Sequence, residues 1–199
     1  MTDPATAQLR VHSITHGSRA NGPGVASILH LQGCSIRCPG CFNQQTWDHS
    51  RGNLRSVQNV LDELDSAPHD LIAISGGEPL EQAEPLLLLV ERLYQLQLAK
   101  GVLLYTGTTA DERQAIPQWP LIRGCVDLTV AGRYVRDQAL TPVRGLLASS
   151  NQQYIFGGHG RIRESDLKGR PSVEVVVGSD GMTVMGFPSS NMLREMRTA

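Results

Sequence analysis

Lysine is nearly absent from this 199-residue chain: Lys100 and Lys168 stand alone among 18 basic residues, and the rest are arginines. With 19 acidic residues the formal net charge is −1. A protein that holds nucleic acid by bulk charge is more basic than this. Long apolar runs are also missing. The longest, Leu86 to Val90, lies between Glu84 and Glu91 and falls far short of the roughly 18 residues of a membrane span. The first residues, MTDPATAQLR, lack the charged-then-apolar order of a secretory signal. The expected partners therefore include neither nucleic acid nor membrane, and the expected compartment is the cytoplasm. Aromatics are few, at 5%, but apolar residues reach 40% and charged residues 19%. That balance excludes a disordered chain and allows a hydrophobic core without disulfide support.

Cysteine is scarce too, and its placement is informative. Cys34, Cys38 and Cys41 fall within eight residues, and Cys125 stands apart. Four cysteines make a poor disulfide scaffold, whereas a clustered trio in a reducing compartment points to metal or iron–sulfur chemistry. The spacing is C-x3-C-x2-C. Three thiolates from one loop can hold three irons of a [4Fe-4S] cube and leave the fourth iron open, where four cysteines would close the cluster. The residues alone leave alternatives: a zinc site with His30 as fourth ligand, a cluster closed by Cys125, or three free thiols. For Cys125 a packed structural thiol is expected.

The chain alternates strand and helix. Strands are expected at Ala26–Leu31, Leu71–Ile74, Val102–Tyr105 and Val126–Val130. A helix capped by Ser56 covers 57–64, a longer one covers 81–99 and ends at Gly101, and a short one starts at Thr109 or Asp111. Arg51–Asn53 reads as a turn. This order gives an α/β fold with mainly parallel strands, in which the loops after the strands meet at one edge. Those loops are the cysteine loop, Ser75-Gly76-Gly77-Glu78-Pro79 and Tyr105-Thr106-Gly107. In the second, glycines let backbone approach a ligand closely, and Glu78 could accept a bond from an ammonium group. Ser149-Ser150-Asn151-Gln152 is a polar cluster that either binds a ligand or makes a turn. No phosphate-binding loop, dinucleotide fingerprint or serine-hydrolase elbow occurs, and the six histidines show no ligand spacing. Val173–Val177 and Met182–Gly186 flank Gly178-Ser179-Asp180-Gly181 and read as a β-hairpin.

The cysteine segment CSIRCPGC resembles the CxxxCxxC motif of radical S-adenosylmethionine (SAM) enzymes, and ISGGEP resembles their GGE motif. The ordered set Asn21-Gly22-Pro23-Gly24, Gln32-Gly33-Cys34, Cys38-Pro39-Gly40-Cys41-Phe42-Asn43, Thr46-Trp47, Ser75 to Leu80, Tyr105-Thr106-Gly107, Asp127 to Gly132 and Ser149 to Gln152 is similar to the activating proteins of anaerobic ribonucleoside-triphosphate reductase. It spans about residues 10 to 152. Phe42 stands where the family often has Tyr, Val25-Ala26 follow the N-G-P-G turn in place of a polar or basic residue, and Ala148 replaces a glycine. Compact members end near Gln152, whereas this chain continues to Ala199.

The resemblance implies a partial TIM-type (β/α) barrel, with residues 1–152 as the radical SAM core and 153–199 as an extension carrying the hairpin. It implies that Cys34, Cys38 and Cys41 bind one [4Fe-4S] cluster, that Phe42 lies near the SAM adenine, that Gly76, Gly77 and Glu78 meet the methionine end, and that Ser149 and Asn151 contact SAM or shape its pocket. The implied reaction is reductive cleavage of SAM to a 5′-deoxyadenosyl radical, which takes a hydrogen from a glycine of a large glycyl-radical enzyme, most readily anaerobic ribonucleotide reductase. Flavodoxin or ferredoxin would supply the electron. Two other functions stay open: a radical SAM enzyme acting on a small molecule or peptide, and a non-catalytic iron–sulfur or zinc module that binds a protein.

Overall fold

A computed structural model describes residues 3–168, 173–178, 181–188 and 192. In chain order the elements are β1 (Gln8–Ser18), β2 (Ala26–Leu31), β3 (Asn53–Ser56), α1 (Val57–Asp65), β4 (Leu71–Gly76), α2 (Ala83–Leu96), β5 (Gly101–Thr106), α3 (Ala110–Gln114), α4 (Trp119–Cys125), β6 (Leu128–Ala131), β7 (Ala139–Arg144), β8 (Leu147–Ser149), β9 (Gln153–Phe156), β10 (Val173–Gly178) and β11 (Gly181–Gly186). Seven strands form one sheet in the order β3-β1-β2-β4-β5-β6-β9.

The four central strands β2, β4, β5 and β6 run parallel. They read as near-continuous apolar runs because both faces of a parallel sheet are covered. Antiparallel strands finish both sides: β1 pairs with β2 and with β3, and β9 pairs with β6. The fold is therefore mixed α/β with a parallel centre. The segment expected to be a turn at residues 51–53 leads directly into β3. The sheet also continues beyond residue 152, since β9 is its last strand.

Local chemistry sets the helix ends. The Ser56 hydroxyl accepts from the Asn59 N–H at 3.2 Å, and Val57, Val60, Leu61 and Leu64 of α1 are buried. Thr109 and Glu112 form a reciprocal capping box at α3. Pro79–Gln82 make a 3₁₀ turn before α2, and α2 ends at Gln97, which takes a left-handed φ of 50°. The helix is therefore shorter at both ends than the 81–99 expected, and Gly101 begins β5. Helix α4 was not expected, because two prolines sit near it. Pro120 lies in its first turn, where a missing N–H costs nothing.

Strand alternation divides the core. Leu29, Leu31, Ile72, Ile74, Val102 and Leu104 pack with the apolar faces of α1, α2 and α4. Ile28, Leu71, Ala73, Leu103, Leu128 and Val130 face the other way. That second face is covered by Leu146, Ile162, Leu167 and Met185, with Phe187 packed against them. The C-terminal hairpin pairs β10 with β11 antiparallel, from Val173↔Gly186 to Gly178↔Gly181. Its turn residues Ser179 and Asp180 lie outside the described residues.

Candidate functional site

The site forms where β2, β4 and β5 end. Beyond β2 the chain enters the cysteine loop, which is fastened at its base. Gly33 N–H donates to Thr46 C=O at 2.7 Å, and Cys34 N–H to Trp47 C=O at 3.1 Å. The Gln32 side-chain amide donates to the carbonyls of Gln45 at 3.2 Å and Asp48 at 2.8 Å. Inside the loop Cys41 N–H donates to Cys38 C=O at 3.0 Å, and Gly40 has φ 83°. Proline then glycine with positive φ at the centre of such a turn is the type II arrangement. The turn fixes the separation of Cys38 and Cys41.

The end of β4 lies hard against the end of β2. Gly77 N–H donates to Leu31 C=O at 2.8 Å, and Glu78 N–H to Gly33 C=O at 2.8 Å. A methyl group on Gly77 would overlap the Gly33 carbonyl, and one on Gly76 would lie 2.9 Å from the His30 carbonyl carbon. Both glycines thus serve the approach of two strand ends, which brings the SGGEP turn beside the cysteines.

Glu78 is 2% exposed. Its carboxylate accepts from Leu80 N–H at 2.9 Å, the Thr106 hydroxyl at 2.8 Å and Gly107 N–H at 2.8 Å. It caps the 3₁₀ turn and ties β4 to β5. Burial outweighs these bonds and pushes its carboxyl up to about 7. Two supporting residues escaped the sequence reading. The Glu81 carboxylate accepts from Ser35 N–H at 2.7 Å and meets His49 Nε2 at 2.7 Å. The Gln82 side chain bridges β1 and β2, accepting from Arg10 N–H at 2.7 Å and donating to the Arg10 and Gln32 carbonyls, each at 3.1 Å. Their signal was the helix-starting position after Pro79, which hides their reach back to the cysteine loop.

Cys34, Cys38, Cys41, Phe42, Gly76, Gly77 and Glu78 all line one cavity of about 130 Å³. Trp47, Tyr105, Tyr134 and Phe187 add aromatic wall, and the Phe42 and Tyr134 rings lie 5.7 Å apart. Ser149 and Asn151 stand behind the wall. The Ser149 hydroxyl accepts from Val135 N–H at 3.3 Å, the Asn151 amide donates to Arg133 C=O at 2.8 Å, and the Gln152 amide donates to Gly132 C=O at 3.0 Å. Together they hold the 132–135 segment, which carries Tyr134, in place. A larger groove of about 940 Å³ runs between residues 3–8 and α2. It contains none of the candidate site residues named from the sequence.

The donor set can be tested against a cluster. Burial pushes the Cys34 and Cys41 thiols up, so loading a metal must release protons. Among the described residues no three of His, Cys, Asp and Glu converge on a single ion position. A [4Fe-4S] cube takes one thiolate per iron, which suits three thiols spread around one cavity. Cys125 lies away from this cavity, at the end of α4.

A family model described as a 4Fe-4S single cluster domain matches residues 20–155. This chain belongs to that family. It is 32% identical over 131 residues to an anaerobic ribonucleoside-triphosphate reductase-activating protein from Vibrio cholerae, a match covering 60% of this chain and 80% of that protein. It is 40% identical over 81 residues to a pyruvate formate-lyase-activating enzyme from Listeria monocytogenes, covering 38% of this chain and 33% of that enzyme. The solved structure of QueE from Escherichia coli superposes with a TM-score of 0.44 at 17% identity, over 51% of this chain and 53% of that one. The chain is a radical SAM enzyme, with one [4Fe-4S] cluster and SAM as cofactors. No helix among the described residues is long and apolar enough to cross a membrane.

Proposed function

We propose that this protein is a glycyl-radical activase whose partner is an anaerobic ribonucleoside-triphosphate reductase. The observation that carries the reading is a single cavity lined by the three loop thiols, the Gly76-Gly77-Glu78 strand end and five aromatic side chains. The relatives named as activating proteins support a protein substrate. When bound, the cluster and SAM would supply one-electron radical chemistry able to take a hydrogen from a glycine Cα of the partner.

The chain's own residues have separate tasks. Cys34, Cys38 and Cys41 hold the cluster. Gly76, Gly77 and Glu78 receive the methionine end of SAM, with the buried Glu78 carboxylate fixing the strand end that presents backbone there. Phe42 would lie against the adenine, and Ser149 and Asn151 shape the wall beside it through the 132–135 segment, whose Tyr134 ring lies 5.7 Å from that of Phe42. The aromatic lining excludes water, which protects a reactive intermediate from quenching. The four parallel strands with helices on one face support a partial TIM-type barrel. Residues 1–152 would then carry the chemistry, with 153–199 an extension built onto it. Flavodoxin or ferredoxin would deliver the electron, and the cytoplasm is the compartment that suits both.

The test is made on anaerobically reconstituted, reduced protein. Its electron paramagnetic resonance spectrum is recorded with and without SAM, and 5′-deoxyadenosine is assayed in the same sample. A cluster signal that SAM perturbs, with 5′-deoxyadenosine formed, is expected, and Cys38→Ala should abolish both. Radical formation on a purified anaerobic reductase then tests the partner. A zinc-loaded protein without cleavage would defeat the enzyme reading, and full activity in Cys38→Ala would defeat the ligand assignment.

A further inference from the structure

Phe187 lies outside the matched family region and outside every motif read from the sequence, yet it lines the same cavity as the three thiols. Its ring lies 6.3 Å from that of Tyr105, at 52°. The hairpin that delivers it is anchored on both sides. The Glu174 carboxylate of β10 accepts from the Ser18 hydroxyl at 2.8 Å, Arg19 N–H at 2.7 Å and Ala20 N–H at 3.2 Å. Directly across the ladder from Glu174, Met185 of β11 is 8% exposed and packed into the second core. Tyr105 is held as well, its hydroxyl donating to Asn21 C=O at 3.2 Å. The N-G-P-G turn, which the function left without a role, therefore fixes one member of the ring pair. Strand alternation explains the rest: Glu174 and Met185 face the sheet, while Val175, Val177 and Met182 face outward and are exposed.

We propose that the C-terminal extension completes the site. Phe187 is a wall residue that screens the thiol pocket and its cofactor from solvent, and Glu174 is the anchor that positions it. The inference rests on the proposed function only where it concerns SAM; the screening of the thiols stands on the cavity itself.

The experiment uses the full chain in its metal-free form. Iodoacetamide alkylation rates of Cys38 and Cys41 are followed by mass spectrometry, with Cys125 as the internal monitor of folding. Phe187→Ala should quicken alkylation of the pocket thiols several-fold and leave Cys125 unchanged. Glu174→Ala, remote from the thiols, should do the same by loosening the hairpin. Should Cys125 also quicken in Phe187→Ala, Phe187→Leu is read in its place with the same two outcomes. Unchanged pocket-thiol rates in both the Phe187 and Glu174 variants would overturn the proposal. In cluster-loaded protein, Phe187→Ala should raise the SAM dissociation constant several-fold, and an unchanged constant overturns the part that concerns the cofactor. A wild-type chain that loads no cluster would defeat the proposed function and leave the alkylation result to decide this one.

Discussion

Replacing Gly77 by alanine adds one methyl group where two strand ends meet. The new carbon would overlap the Gly33 carbonyl and lie 2.7 Å from its carbon atom. Ordinary carbon contacts are about 3.5–4.0 Å, so the ends must part by roughly 1 Å. The bonds from Gly77 N–H to Leu31 C=O and from Glu78 N–H to Gly33 C=O are both 2.8 Å, and that movement takes them beyond the ~3.2 Å limit of a good hydrogen bond. Overpacking costs about 1–3 kcal/mol, and each lost bond about 0.5–1.5 kcal/mol. The total is roughly 2–6 kcal/mol, against a typical stability of about 5–15 kcal/mol. For a chain of this size that lowers Tm by about 10 °C. The assay is thermal unfolding of the metal-free protein, with iron and sulfide content after reconstitution as a second readout. Gly124→Ala is the control: nothing lies within 4 Å of the added carbon, and alanine in a helix is favoured by up to about 1 kcal/mol. Wild-type Tm and full iron content in Gly77→Ala would refute the argument that the glycine exists for strand approach.

Glu78 should give the metal-free protein a distinctive pH dependence. Its folded carboxyl is held up at about 7 from 4.5, so the folded state binds the extra proton. The stabilisation is complete below the unfolded value and is lost as pH rises through the folded one, an effect of about 3 kcal/mol. Glu78→Gln should flatten this slope between pH 5 and 7 in denaturant titrations, and a persistent slope would assign it to another group. Truncation after Gln152 removes β9, takes Ile162, Leu167 and Met185 out of the core, and strips the Arg161 guanidinium from the buried Asp127 carboxylate, which it meets at 2.7 Å. Breaking a buried pair alone costs about 3–5 kcal/mol. The truncated chain should therefore unfold at much lower denaturant than the intact one, and an unchanged midpoint would show that the extension is merely appended.

The sequence made the parallel centre legible because β2, β4 and β5 are apolar on both faces, and each ends in a distinctive turn. Ser56 and Thr109 announced their helices through side chains that cap locally. Strand β1 was not legible, because its burial is irregular and His12, Ser13, Thr15 and His16 interrupt any alternation. Strand β3 is only four residues long and owes its form to pairing with β1. Of the site, the cysteine spacing is a property of one short loop and could be read directly. The packing role of Gly76 and Gly77 could not, since it depends on the backbone of a strand about 45 residues earlier. Ser149 and Asn151 were visible as polar residues, but their attachment to the 132–135 segment is tertiary. Phe187 carried no local signal at all.

The turn between Cys38 and Cys41 closes through protein bonds alone, and Gln32 clasps the far end of the same loop. Small metal domains whose loops are unformed without their ion lose fold and ligand together, because binding energy is consumed in ordering the chain. Here a proline, a glycine and neighbouring carbonyls supply part of that ordering. The expected outcome is that oxidative loss of iron leaves the loop formed and able to reload. Slow amide exchange at Cys34 and Cys41 in the metal-free protein would be its signature, and the same construction makes the cluster a replaceable part of a durable scaffold.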